Sequence, residues 1–270
     1  MSEELPIGCR LKAHNFKHFL KAFDLMEDLV LNITEEGINA AGTSGRTFFT
    51  GRHFNFREGE ESLGVGAVPI GQLATFVSLV NEVAPGNQEV EITLSDNTIL
   101  VVSDDGSFRI PTIAMASSQA GVETVLNYLT DSEQNDWTKF GSGKLDYAVQ
   151  FDGAVFRPLC NVGKAIKSGA LYCLEINPTE LVLSAQRDKI RLDKQIPHQT
   201  ENSQWLPDDA VIAWFGPWLM DALKAMPSEG TVHVHGGHDA PLVIRHESPD
   251  GDWGTQAVIA PRQDAGGQAE

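Results

Sequence analysis

The chain is poor in cysteine, in positive charge and in long apolar runs, and each shortage excludes something. It holds 3 cysteines, Cys9, Cys160 and Cys173. An odd count with no paired spacing is not a disulfide framework and suits a reducing compartment. The longest apolar run, Ala210 to Met220, is broken at Gly216-Pro217 and falls far short of the ~20 residues that span a bilayer. The opening MSEELPIGCR is acidic and has no signal-type apolar core. These features lead us to expect a cytoplasmic protein (nuclear in a eukaryote) with no membrane partner. Lys and Arg number 20 against 37 Asp and Glu, a net charge of −17. A protein that grips nucleic acid over its whole surface would be basic, so that class is excluded, whereas a local basic stripe is not.

Catalytic signatures are missing too. There is no Gly-rich phosphate loop, no G-x-S-x-G elbow and no cysteine with a convincing histidine partner. The acidic pairs Glu35-Glu36, Asp104-Asp105 and Asp208-Asp209 fall in turns and read as solvated. The expectation is a protein that is not an enzyme and carries no cofactor. His233 and His235 alternate along a strand and so share a face. With His238 they form the one candidate metal cluster. It supports an alternative, a metal-binding β-rich enzyme, but no Asp or Glu stands at an obvious ligand spacing beside them.

What is present is a repeat. A unit of strand, amphipathic helix and several strands begins near Ile7 and again near Ala67, Tyr147 and Ala210. The long period of about 140 residues means two similar domains rather than a solenoid. Apolar residues make up 41%, enough for two cores, and the fold class expected is α+β. We expect domain one over 1–116, a connecting loop over 117–144, domain two over 145–262 and a disordered tail over 263–270. In the first helix Phe16, Phe19, Leu20 and Phe23 follow the spacing of a buried face, with His14, Lys17, His18 and Lys21 opposite. The second helix places Leu73, Phe76, Val77 and Val80 inward and has no basic residue. In the third, Phe156, Leu159, Cys160 and Ile166 face inward, while Arg157, Asn161, Lys164 and Lys167 lie outside. Pro158 is tolerable there only in a first turn. Lys224 is the cation of the fourth. Asp96-Asn97 between two apolar strands is a tight-hairpin signal. A cationic helix face that recurs at the domain period, on an acidic chain, points to sequence-blind phosphate contact.

The closing residues carry a resemblance. Lys224-Ala225-Met226-Pro227, then Ala240-Pro241-Leu242-Val243-Ile244, then Ile259-Ala260-Pro261-Arg262 is similar to the end of the PCNA-type DNA sliding clamps. The opening Phe16 to Arg46, with its Glu35-Glu36-Gly37-Ile38 turn, looks like the start of that family. The order of elements matches over about residues 5–262. The resemblance implies two clamp domains, each of two β-α-β-β-β units, with helices on the inner face of a curved antiparallel sheet. It implies a homotrimeric ring that encircles duplex DNA without reading its sequence and tethers polymerase for processivity. Clamp loader and other replication or repair proteins would bind through a short apolar motif.

By matched position, Lys17, His18, Lys21, Arg157, Lys164, Lys167 and Lys224 are implied to face DNA. The partner pocket is implied to involve Arg46, Val125, Leu126, Tyr128, Leu129, Pro241, Ala260, Pro261 and Arg262. Subunits would join through edge strands carrying Phe108, Ile110 and Ile113 on one side and Ile190 and Leu192 on the other. A hetero-oligomeric checkpoint-type clamp subunit is a further alternative.

Overall fold

The computed structural model describes residues 6–24, 26–44, 48–113, 139–140, 143–162, 170–187, 189–205, 207–238 and 240–262. The chain divides into two compact units, Met1–Thr130 and Asp131–Glu270. Almost all regular structure is antiparallel sheet, with a few short helices, which makes the fold α+β.

In the first unit the order is β1 (Ile7–Lys12), α1 (Ala13–Leu20), β2 (Leu29–Ile33), β3 (Gly37–Ser44), β4 (Phe48–Asn55), β5 (Glu61–Gly64), β6 (Gly66–Ile70), α2 (Leu73–Val83), β7 (Glu89–Ser95), β8 (Thr98–Ser103) and β9 (Gly106–Pro111). The second unit opens with a two-strand ribbon, β10 (Lys139–Phe140) and β11 (Gly143–Lys144). There follow β12 (Tyr147–Asp152), α3 (Gly153–Phe156), β13 (Leu171–Ile176), β14 (Glu180–Arg187), β15 (Ile190–Pro197), β16 (Gln199–Trp205), β17 (Val211–Phe215), α4 (Trp218–Ala225), β18 (Thr231–Gly236), β19 (Leu242–Glu247) and β20 (Trp253–Ile259).

The two units share one plan. In the first, β5-β1-β7-β8-β9 lie side by side, as do β4-β3-β2-β6. In the second, the corresponding orders are β16-β12-β18-β19-β20 and β15-β14-β13-β17. Each strand–helix–strands repeat therefore lends its first strand to the sheet of the other repeat: β1 pairs with β7, and β6 with β2. Strands β5 and β16, which hydropathy does not announce, occupy equivalent places beside β1 and β12.

Local chemistry explains several elements. Asp96 and Asn97 both take positive φ, 49° and 60°, the conformation a two-residue hairpin turn demands and these residue types tolerate. Helix α1 follows the apolar spacing read from the sequence, but its last turn, Lys21–Phe23, tightens to a 3-10 form. Phe16, Phe19 and Phe23 are buried under it. The Phe16 ring meets Phe76 of α2 edge-on at 6.2 Å between centroids. Each such burial contributes about 1.5–3 kcal/mol, and an aromatic pair about 1 kcal/mol more. Val77, expected inward, is only half-buried.

Among the described residues the third helix is interrupted after one turn. Pro158 lacks an N–H, and its ring opposes the carbonyl four residues back. The backbone accordingly leaves the α form after Phe156 and runs as a 3-10 turn over Arg157–Asn161, with Pro158 in its first turn. Residues 163–169, 114–138 and 263–270 lie outside the described residues. Ile166, the tail and most of the connecting loop expected over 117–144 therefore lie outside the structural description, while residues 139–140 and 143–144 of that loop form the β10–β11 ribbon.

Candidate functional site

The cations of α1 and α3 are built alike. Lys17 is the fifth residue of α1, and Arg157 stands at the matching place after the start of α3, about 140 positions later. Lys17 donates from Nζ to the carbonyl of Ala84, the residue that closes α2. Arg157 donates from Nη1 to the carbonyl of Met226, the residue that closes α4, at 3.1 Å. In both units a cation on the first helix thus caps the carboxyl end of the second. That end carries the negative pole of the helix and unsatisfied carbonyls. The capping bond occupies one donor and leaves the positive charge in place.

A third cap lies beneath α1. Arg52 of β4 is 3% exposed, and its guanidinium donates to the carbonyls of His18 and Phe19, at 2.5 and 3.3 Å. Burial lowers its pKa to about 10, so it stays charged near neutrality. At the opposite end of the helix Glu60, also buried, accepts from the Lys12 and Arg57 amides at 2.9 Å and from Asn15 Nδ2 at 2.8 Å. Helix α1 is thereby held between an anion at its positive pole and a cation at its negative pole. Neither Arg52 nor Glu60 carries a sequence signal: one reads as a strand polar residue, the other as a turn acid.

The remaining cations differ. Lys21 is exposed at the end of α1. Lys224 is exposed on α4 and pairs with Asp221 at 3.0 Å, an i,i+3 interaction of small energetic weight. Lys164 and Lys167 lie outside the described residues. Helix α2 has no basic residue in its last turn and shows Thr75, Ser78, Asn81 and Glu82 outward.

His18 is exposed, but partial desolvation of its ring, with Arg52 and Lys21 close by, lowers its pKa to about 4. Near neutrality its ring therefore adds no charge to the stripe.

The histidine cluster does not assemble a metal site. His233 and His235 share a face of β18, with ring centroids 6.2 Å apart. His238 turns to Asp146 instead: its amide donates to Oδ2 at 2.9 Å and its Nδ1 lies 3.5 Å from the same oxygen. Among the described residues no group of three His, Cys, Asp or Glu side chains could hold a metal ion.

His235 is pushed down to about 3, first by burial and then by His233 and Arg245. An unfolded histidine titrates near 6.5, so below that pH the unfolded chain binds more protons than the folded one. Thermal stability is expected to fall as pH drops from about 6.5 towards 3. The decline should be smaller in a His235→Phe variant, as a Tm series against pH would record. An unchanged slope would contradict it.

Of the implied partner pocket, Pro241 and Ala260 follow on from the Leu242–Ile259 pair at one end of β19 and β20. Pro261 and Arg262 come next, and the Arg262 amide donates to the Trp214 carbonyl of β17 at 2.8 Å. Arg46, Val125, Leu126, Tyr128 and Leu129 lie outside the described residues.

The implied joining strands β9 and β15 are each at a sheet edge. Phe108 and Ile110 on β9 are half-buried, as is Leu192 on β15. Ile190 is 63% exposed. Ile113 does not belong with them: β9 stops at Pro111, and the Ile113 side chain packs where a side chain on Gly71 would begin.

No protein-family model matches the sequence, and no curated protein matches it. Solved structures do. PCNA from Thermococcus kodakaraensis superposes with a TM-score of 0.69 at 13% identity, covering 94% of this chain and 100% of that one. The PCNA2–PCNA3 complex from Sulfolobus tokodaii gives 0.68 at 17% identity, covering 95% and 99%. Proliferating Cellular Nuclear Antigen from Entamoeba histolytica gives 0.69 at 11%, covering 96% and 99%. The likeness establishes the fold: nearly the whole chain has the fold of the PCNA clamps.

Proposed function

We propose that this chain is a non-enzymatic DNA sliding clamp. Three copies close into a ring, duplex DNA passes through it, and the ring tethers a polymerase and other replication or repair proteins. The observation that carries the reading is the matched pair Lys17 and Arg157. Each stands at the same place in its unit and caps the second helix of that unit, in a chain of net charge −17. Selective placement of cations on one repeated helix face fits contact with phosphates at any sequence. The helix ends, which would otherwise present negative poles, are neutralised by the same side chains. Retention would come from encirclement, so no single phosphate interaction has to be strong. Lys21 and Lys224 supply exposed charge beside the capping pair, with Lys164 and Lys167 assigned by position.

The direct test combines mass and topology. Light scattering on the purified protein is expected to give three times the 29.4 kDa of the chain. Rings loaded onto nicked circular duplex DNA should remain bound through a salt wash and be released once the circle is cut to a linear form. Equal retention on both forms, or a monomer at every concentration, would overturn the reading.

A further inference from the structure

Strands β9 and β15 carry enough information to fix how two copies meet, an inference that rests on the clamp reading above. Backbone hydrogen bonds set the phase of each edge. The Thr112 amide donates to the Asn97 carbonyl at 2.9 Å, continuing the ladder in which Ile110 opposes Ile99 and Phe108 opposes Val101. The His198 amide donates to the Thr179 carbonyl at 3.2 Å, continuing the ladder in which Ile196 opposes Leu181 and Leu192 opposes Ala185. Hydrogen-bonded and non-bonded pairs alternate along an antiparallel ladder. The backbone groups of Phe108, Ile110, Leu192, Lys194 and Ile196 therefore point inward. Those of Ser107, Arg109, Arg191, Asp193 and Gln195 point out to the open edge. Pro111 and Pro197 end the two strands at positions whose absent N–H would have pointed outward, where proline costs no ladder bond.

An antiparallel junction of β9 with β15 must then place odd-numbered residues opposite odd ones. Few registers obey this. The one with Arg109 opposite Asp193 sets all six residues of β9 against residues of β15. Ser107 then faces Gln195, Ile110 faces Leu192 and Phe108 lies over the stem of Lys194, while Pro111 faces Arg191 and, lacking an N–H, forgoes one junction hydrogen bond. Sliding two residues one way puts Arg109 opposite Arg191, a like-charge pair, and runs Pro111 off the strand to Lys189. Sliding two the other way puts Ser107 opposite Pro197, removes a second hydrogen bond beyond the one Pro111 forgoes, and runs Gly106 off the strand to His198. Asp193 is already oriented: Arg191 Nε lies 2.8 Å from its Oδ1 and 3.1 Å from its Oδ2, and the carboxylate, beside the open edge, keeps acceptor lone pairs for a second cation.

We infer that two copies of this chain join β9 to β15 in this register, with Arg109 of one copy opposite Asp193 of the next as the pair that selects it. Arg109→Asp or Asp193→Arg alone is expected to weaken assembly about tenfold or more, because each sets like charges against one another. The double variant Arg109→Asp/Asp193→Arg should recover assembly to within a few-fold of the parent, read by concentration-dependent light scattering.

A second measurement does not depend on charge. Ile110 and Leu192 would form a non-hydrogen-bonded pair, where Cβ atoms approach closely enough for a disulfide. Ile110→Cys/Leu192→Cys should therefore crosslink between subunits on mild oxidation, whereas Phe108→Cys/Leu192→Cys should not. If the parent assembles but the swap fails to rescue, or the second cysteine pair crosslinks instead, the register is wrong and the clamp reading stands. If the parent does not assemble at all, both fall.

Discussion

A Lys21→Glu/Lys224→Glu double variant is expected to bind linear duplex DNA about a hundredfold or more weakly at equilibrium, while keeping its fold, its assembly and its retention on closed circles. Both side chains are exposed, and neither caps a helix in the structure. Each phosphate interaction removed should lower the slope of log affinity against log salt by about 0.9, so by about 1.8 for the pair in each subunit that meets the duplex. If each interaction contributes about 1.4 kcal/mol, the weakening is tenfold per site. Removing the Lys224–Asp221 pair costs little, since exposed ion pairs contribute about 0–1 kcal/mol, so Tm should barely move. The discriminating quantity is the slope. An unchanged slope with unchanged affinity for linear duplex would show that this helix face does not meet a polyanion. The same double change read on a sequence-scrambled duplex should give the same weakening, because phosphates carry no base information.

Arg52→Met should do the opposite: a large drop in stability with the exposed cations untouched. The guanidinium is buried and serves the carbonyls of His18 and Phe19. Methionine fills much of the same space but donates nothing, so two carbonyls at a helix end are left without that donor. A buried acceptor without a donor costs about 1–3 kcal/mol, so the two carbonyls together cost about 2–6 kcal/mol. For units of this size that corresponds to a Tm drop on the order of 10 °C. Hydrogen exchange over Phe16–Phe23 should accelerate with it, because Arg52 holds the last turn of α1. Arg52→Lys should recover part of the stability, reaching one carbonyl rather than two. A Tm within about 2 °C of the parent would refute the capping role.

Local pattern revealed a good deal of this fold, for reasons that are physical. The aromatic spacing in α1 is dictated by which side of a helix meets the core, and Asp96-Asn97 by which residues accept positive φ. The repeat was visible because the same strand–helix order needs the same periodicities twice. Edge strands β9 and β15 were legible as strands from their β-branched and aromatic residues, though not where β9 stops. What stayed hidden depends on residues far apart in sequence. Lys17 and Ala84 are separated by 67 positions, and Arg157 and Met226 by 69. No local pattern tells a capping lysine from a solvated one. Arg52 and Glu60 escaped for the same reason. The short strand β5 and the polar β16 lack an alternating apolar face and are strands because β1 and β12 have an edge to fill. Ile113 was misplaced because the pattern could not show that β9 ends at Pro111.

The exchange of first strands between repeats constrains how the molecule is made. As the polypeptide emerges from the ribosome, β1 appears first, yet its neighbour β7 begins at Glu89, paired with Lys12. Until that later stretch is synthesised, β1 and α1 can shelter Leu11, Phe16 and Phe19 only in a provisional collapse. Neither repeat is a separable folding module, and an arrested nascent chain ending after α2 would hold an incomplete sheet with bare apolar surface. The same wait is imposed again from Tyr147 to Gly236, where β12 pairs with the later β18. Duplication thus produced a chain that matures in two long steps, each demanding protection against premature association while it is unfinished.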